Sequence, residues 1–138
     1  MTRIVLDASV AVPWFVPEDD ATTRAASEIL DSVVDGRLAP LVPELFWFEL
    51  LATLIRRTPA PGSAGQALAW LTELGFERIP LDPELAARAE EIARTYHVTG
   101  YDAAYAALAE STHAQWWTFD RKAHQRILDL RVSHLVGA

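Results

Sequence analysis

The sequence predicts an α/β fold: a mainly parallel sheet of four to five strands flanked by helices on both faces, in one domain over residues 1–138. Three observations carry this. Short apolar, β-branched runs without period-two alternation recur along the chain, as expected of strands buried on both faces. Between them lie longer stretches with apolar residues at helical spacing, bounded by Asp, Thr, Pro and Gly where helices start and stop. Strand and helix alternate throughout, and no repeat or low-complexity tract interrupts them.

Residues 3–6 form the first predicted strand, followed by a short helical turn over 9–15 that breaks near Pro13 and Pro17. A helix is expected over 19–36, with Asp19, Asp20 or Thr22 as its cap and Gly36 as its stop. "LAPLVP" (38–43) reads as the second strand. The following helix, 43–57, is apolar on most faces, which implies deep burial or a partner surface. "TPAPGSAG" (58–65) is a loop, and Ala64, Ala67, Leu68, Leu71 and Leu74 then recur at helical spacing up to Gly75. "FERIPL" (76–81) is the third strand. Asp82 and Pro83 open a helix in the favoured order, cap before proline, with Leu85, Ala89, Ile92, Ala93 and Tyr96 along one face. After Gly100, "YDAAYAALAEST" is an alanine-rich helix suited to close packing. "QWWTF" (115–119), "DRKAHQRILD" (120–129) and "LRVSHLV" (130–136) read as strand, helix and strand.

The chain has 138 residues, 51% hydrophobic and 22% charged, which is a globular balance large enough for a real core. It has no cysteine, which excludes disulfides, thiolate metal sites and a thiol nucleophile. The start of the sequence lacks a basic region followed by an apolar signal core. The longest nearly apolar stretch, 41–55, contains Glu44 and Glu49 and is too short to span a bilayer. A soluble, cytoplasmic protein is the expectation. A net charge of −7 argues against a broad basic surface for nucleic acid and fits an acidic site that needs cations, or a surface that meets a basic partner.

Four acids stand out. Asp7 follows the first strand, where open parallel sheets bind their ligands, although a helix cap would explain it too. Glu49 interrupts an apolar helix face, with Leu45, Phe46, Ala52 and Thr53 three and four residues away. Such a glutamate should be neutralised, metal-bound or paired, with Arg56 or a partner chain as the alternative. Asp102 opens the alanine-rich helix, where Thr99-x-x-Asp102 also fits a capping box. Asp120 follows the fourth strand and can cap the next helix. If the sheet gathers all four at its carboxyl edge, they cannot all stay ionised without a counter-charge. A hard divalent cation with oxygen ligands, Mg2+ or Mn2+, is the economical answer. Ser9 and Thr118 are nearby hydroxyls. The four histidines show no ligand spacing, and there is no phosphate-binding glycine loop or nucleophile elbow. Trp116 and Trp117 read as core rather than as a base-stacking platform.

"IVLDASVAV", "PELFWFELLATL", "YDAAYAALAE" and "TFDRKAH" together resemble the PIN-domain ribonucleases, and at this length the VapC toxins of toxin–antitoxin pairs. The likeness runs from about residue 3 to residue 134. It implies a PIN-like fold, a metal-dependent endoribonuclease, and Asp7, Glu49, Asp102 and Asp120 as catalytic and metal-holding acids, supported by Ser9 and Thr118. It also implies RNA as substrate, a homodimer, and a small VapB-type antitoxin that covers the active site. The chain departs from the pattern at Phe48, where many members carry Asn, and in the fourth block, where Asp120 is a single acid followed by Arg121 and Lys122. Rival readings are a phosphohydrolase of small esters, a DNA nuclease on the same scaffold, or a catalytically silent binding domain. A phosphoacceptor receiver module fits poorly: Asp7 precedes Ala8 rather than a second acid-bearing position, and Lys122 is the only lysine.

Overall fold

Ile4, Val5 and Leu6 are at most 1% exposed because β1 (Thr2–Leu6) is the central strand of the sheet. The structure is a computed structural model and describes residues 1–137. From β1 the chain passes through α1 (Ala8–Ala11), a 3-10 turn at Val12–Trp14 and α2 (Asp20–Val34) to β2 (Leu38–Pro43). It continues through α3 (Glu44–Arg57) and α4 (Ser63–Glu73) to β3 (Glu77–Ile79). It then returns through α5 (Pro83–Tyr96) and α6 (Gly100–Thr112) to β4 (Gln115–Thr118). Finally α7 (Arg121–Arg126) and a 3-10 turn at Leu128–Leu130 lead to β5 (Ser133–Leu135).

The five strands lie in the order β3-β2-β1-β4-β5, and every pairing is parallel. The chain winds outward from β1 in one direction to β3, then crosses back to lay β4 on the other side of β1. The order therefore reverses between β1 and β4, and a crevice forms outside the carboxyl ends of those two strands.

Local chemistry sets the element ends. Asp19 and Asp82 cap α2 and α5, accepting from Thr22 N and Leu85 N at 2.8 Å. β3 is shorter than the run "FERIPL" suggests: Phe76 turns inward, only 5% exposed, and Pro80 has no N–H to extend the ladder. The helix expected over 120–129 ends at Arg126, and the chain reverses at Arg131, which sits in the left-handed region with φ 57°. That turn confines the last strand to three residues. α6 carries an unbroken buried run from Ala103 to Ala109. Five of those seven residues are alanine, so the helix lies close across β1, β2 and β4 and brings its first turn to the crevice. Among the described residues, no helix is long and apolar enough to cross a membrane.

Candidate active site

The end of β1 is stitched to the end of β4. Asp7 N–H donates to Trp117 O at 3.0 Å, and Phe119 N–H donates to Ser9 Oγ at 3.3 Å. Asp7 and Asp120, which follow the two strands, thus stand on either side of the switch point. Both also act as caps. Asp7 Oδ2 accepts from Ser9 N–H at 3.0 Å, and Asp120 Oδ1 accepts from Ala123 N–H at 3.0 Å. The cap reading and the site reading are therefore compatible, since each cap occupies one carboxylate oxygen.

Thr118 is fully buried, and its hydroxyl accepts from Asp120 N–H at 3.0 Å. It fixes the backbone that carries Asp120. At the start of α6, Thr99 Oγ1 accepts from Asp102 N–H at 3.0 Å. Among the described residues no bond returns from the Asp102 carboxylate to the Thr99 N–H, so half of the capping box forms and the carboxylate is left for another use.

Glu49 makes no pair with Arg56. Its Oε1 accepts from the Tyr105 hydroxyl at 2.6 Å. The Tyr105 ring lies parallel to that of Trp116, with centroids 5.5 Å apart and planes at 8°. Trp116 Nε1–H in turn donates to Asp7 Oδ1 at 3.2 Å. One stacked aromatic pair, buried in the core, thereby orients two of the four acids from beneath. Sequence reasoning missed both roles. In "QWWTF" and "YDAAYAALAE" these residues carry the signature of core mass, and their polar tips acquire meaning only from partners 109 and 56 positions away.

The carboxylates feel one another. Burial pushes the Asp7 carboxyl up, the Ser9 and Trp116 hydrogen bonds partly offset this, and the charge of Asp120 adds to it. Glu49 is raised by burial, tempered by the Tyr105 bond, and raised further by Asp7 and Asp102. Asp102 is pushed up to about 6, by burial first and then by the charges of Asp120 and Asp7. The Tyr105 phenol is driven far above its ordinary range by burial and by Asp7 and Glu49, so it stays a donor. Among the described residues, none of the four acids forms a salt bridge with Arg, Lys or His. Replacing Tyr105 by Phe keeps the stack and removes the hydroxyl. The expected result is a further upward shift of the Glu49 pKa, read by carbon-detected NMR titration of its carboxyl; an unmoved or lowered value would show that the bond does not hold Glu49 ionised.

Among the described residues, no three His, Asp or Glu side chains are spaced to hold one ion directly. The donor set still suits a small hard cation. It is all oxygen, none of the four acids is paired with a cationic side chain among the described residues, and magnesium is commonly bound through one or two carboxylates with the rest of its shell water. Asp7 and Glu49 open into a cleft of about 350 Å³ that Ser9 and Thr53 also line. A separate hollow of about 490 Å³ lies against Thr2, Ile29, Arg37, Trp117 and His134 and contains none of the four acids. The histidines serve structure: His97 and His113 close α5 and α6 in the left-handed conformation, and His124 Nδ1 bonds Ser133 Oγ at 2.7 Å.

A parallel five-stranded sheet with carboxylates gathered at its switch point defines a small α/β protein whose candidate site is acidic. Residues 4–127 match the PIN domain, and the chain belongs to the PIN-domain family. No curated protein matches it in sequence. Among solved structures it is similar to VapBC2 from Rickettsia felis bound to a promoter DNA fragment, with TM-score 0.73, 13% identity, and 97% and 98% of the two chains covered. VapC20 from Mycobacterium tuberculosis, described as a sarcin–ricin-loop-cleaving toxin, matches with TM-score 0.72 and 17% identity, covering 88% of this chain and 93% of that one. A toxin–antitoxin complex from Klebsiella pneumoniae gives TM-score 0.65 at 16% identity, covering 88% and 89%. At these identities the likeness is one of fold.

Proposed function

We propose that this chain is a Mg2+- or Mn2+-dependent endoribonuclease, the VapC-type toxin of a toxin–antitoxin pair. One observation carries the reading: Asp7, Glu49 and Asp102 all have raised pKa values at the switch point, from burial first and then from the charges of Asp7, Asp102 and Asp120. Among the described residues, no cationic side chain pairs with any of the four acids. A bound divalent cation would acidify a water and neutralise a phosphate oxygen, which is what phosphodiester hydrolysis needs. Asp7 and Asp102 are assigned to hold it, with Asp120 completing the negative field. Glu49, steered by Tyr105, orients the attacking water and accepts its proton. Ser9 and Thr118 keep the two loops in register. The choice of RNA rests on the motif resemblance and on the VapC20 likeness.

The partners follow from the same reading. The outer face of α3 leaves Phe48 71% and Ile55 64% exposed, beside the half-buried Leu45 and Leu51. This is apolar area that a homodimer or a small VapB-type antitoxin would cover. The fold likeness to a toxin–antitoxin complex supports the second of these. A cytoplasmic location is proposed with them.

Purified chain freed of any antitoxin is to be incubated with RNA, single- and double-stranded DNA, and a chromogenic phosphate ester, with Mg2+, Mn2+ or chelator. Cleavage of RNA alone, abolished by chelator, is the expected result. Ester or DNA turnover without RNA cleavage would move the protein to another hydrolase class. No turnover of any substrate would make it a silent binding domain.

A further inference from the structure

On α3, Glu49, Thr53 and Arg57 stand at i, i+4 and i+8, so an acid, a hydroxyl and a guanidinium share one face over about 12 Å of helix. All three line the cleft that holds Asp7. Among the described residues, Arg57 is the only cation in its lining. Across the cleft it meets the segment between α1 and α2: Nη1 donates to Glu18 Oε1, and Nη2 donates to Pro17 O at 3.1 Å.

This pairing differs in kind from the fork that Arg88 makes. Arg88 grips Glu110 with both ends of its fork, Nε to Oε1 at 2.6 Å and Nη2 to Oε2 at 2.9 Å, and adds Glu91. Arg57 has one carboxylate oxygen and one neutral carbonyl oxygen. Its two amino groups are already splayed over two acceptors, the arrangement a phosphate satisfies with two of its own oxygens. Both members of the pair are partly exposed, at 35% and 28%, so exchanging one anion for another costs little.

We propose that Arg57 is a positioning residue for the RNA backbone, gripping a phosphate that neighbours the one cut, and that Glu18 holds it as a competing anion until RNA arrives. The proposal rests on the ribonuclease reading and adds a substrate contact to it. An acidic cleft thereby keeps its single cation neutralised at rest and releases it only to a polyanion that brings its own negative charge.

Two halves of a purely structural ion pair fail in the same direction when removed. These two should fail in opposite directions. With a short single-stranded oligoribonucleotide and saturating Mg2+, Arg57→Ala should raise KM about tenfold with kcat nearly unchanged, as for the loss of one charge-assisted contact. Arg57→Lys should fall between, since it restores the charge without the fork. Glu18→Gln should lower KM by about threefold, because the competing anion is gone. The salt dependence of log KM should flatten by roughly 0.7 in Arg57→Ala. Melting temperatures serve as the folding control. If wild type cleaves RNA while both variants leave KM unmoved, or shift it the same way, the proposal is overturned and the ribonuclease reading stands. If wild type cleaves no RNA, both fall.

Discussion

Asp7→Asn should reduce metal-dependent RNA cleavage by roughly 10²–10³-fold or more while the chain stays folded. The substitution removes the charge and almost nothing else. Asn keeps an oxygen to accept from Ser9 N–H but turns an amino group toward Trp116 Nε1, so one hydrogen bond of about 1 kcal/mol is lost. Against that loss, a buried charge disappears. The Asp7 carboxyl is raised in the folded protein, so the fold binds more protons than the unfolded chain above the ordinary aspartate range. Its contribution to stability is therefore fully favourable only below the unfolded pKa, and declines as pH rises toward the folded one. The penalty grows as pH rises, and Asn removes it. The melting temperature of the variant should stay within a few degrees of wild type at pH 7. Near-wild-type cleavage by a folded Asp7→Asn protein would end the assignment of this carboxylate to the chemistry.

Manganese should raise the melting temperature, and the rise should grow between about pH 4 and pH 7. Asp102 titrates at about 6 in the fold against 3.8 for an ordinary aspartate. Across that window Asp102 is more protonated in the metal-free fold than in the unfolded chain, so its contribution to stability falls as pH rises and levels off above about pH 6. A divalent cation favours the ionised carboxylates and offsets the loss. At a concentration 100 times its Kd, a ligand contributes about 2.7 kcal/mol, or roughly 5–10 °C for a chain of this size. Asp102→Asn should flatten the pH dependence and cut the manganese shift by at least half. The comparison is a thermal scan series from pH 4 to 8 with and without millimolar Mn2+. A melting temperature indifferent to the ion at every pH would leave the acids as caps and solvated groups.

Glu49 was legible because it breaks an apolar pattern: a charge among Phe46, Phe48, Leu50 and Ala52 requires a reason, and burial with a Tyr105 partner supplies it. Asp7 was legible by position, at the end of a strand too apolar to be at an edge. Asp120 was not separable from ordinary caps. Asp19 and Asp82 make the same N-terminal bond to their helices as Asp7 and Asp120 do to theirs. What distinguishes the second pair is the strand each one follows, since β1 and β4 are neighbours although Leu6 and its partner Trp117 are 111 positions apart. The contacts that steer the site are likewise distant in sequence. Trp116 to Asp7, Tyr105 to Glu49 and Arg57 to Glu18 join residues 109, 56 and 39 positions apart.

The sequence by itself determined the alternation of strand and helix, the caps and stops, the apolar faces and the acidic character of the chain. These depend on neighbours within a turn or two, where side-chain periodicity and backbone preference act directly. Only the tertiary structure decided that β4 returns to the far side of β1, that α6 lies close enough to bring Asp102 to the crevice, and that two core aromatics turn their polar tips toward the acids. Strand order and register set which distant residues meet, and the energy that selects them comes from the packing of the whole core rather than from any local stretch.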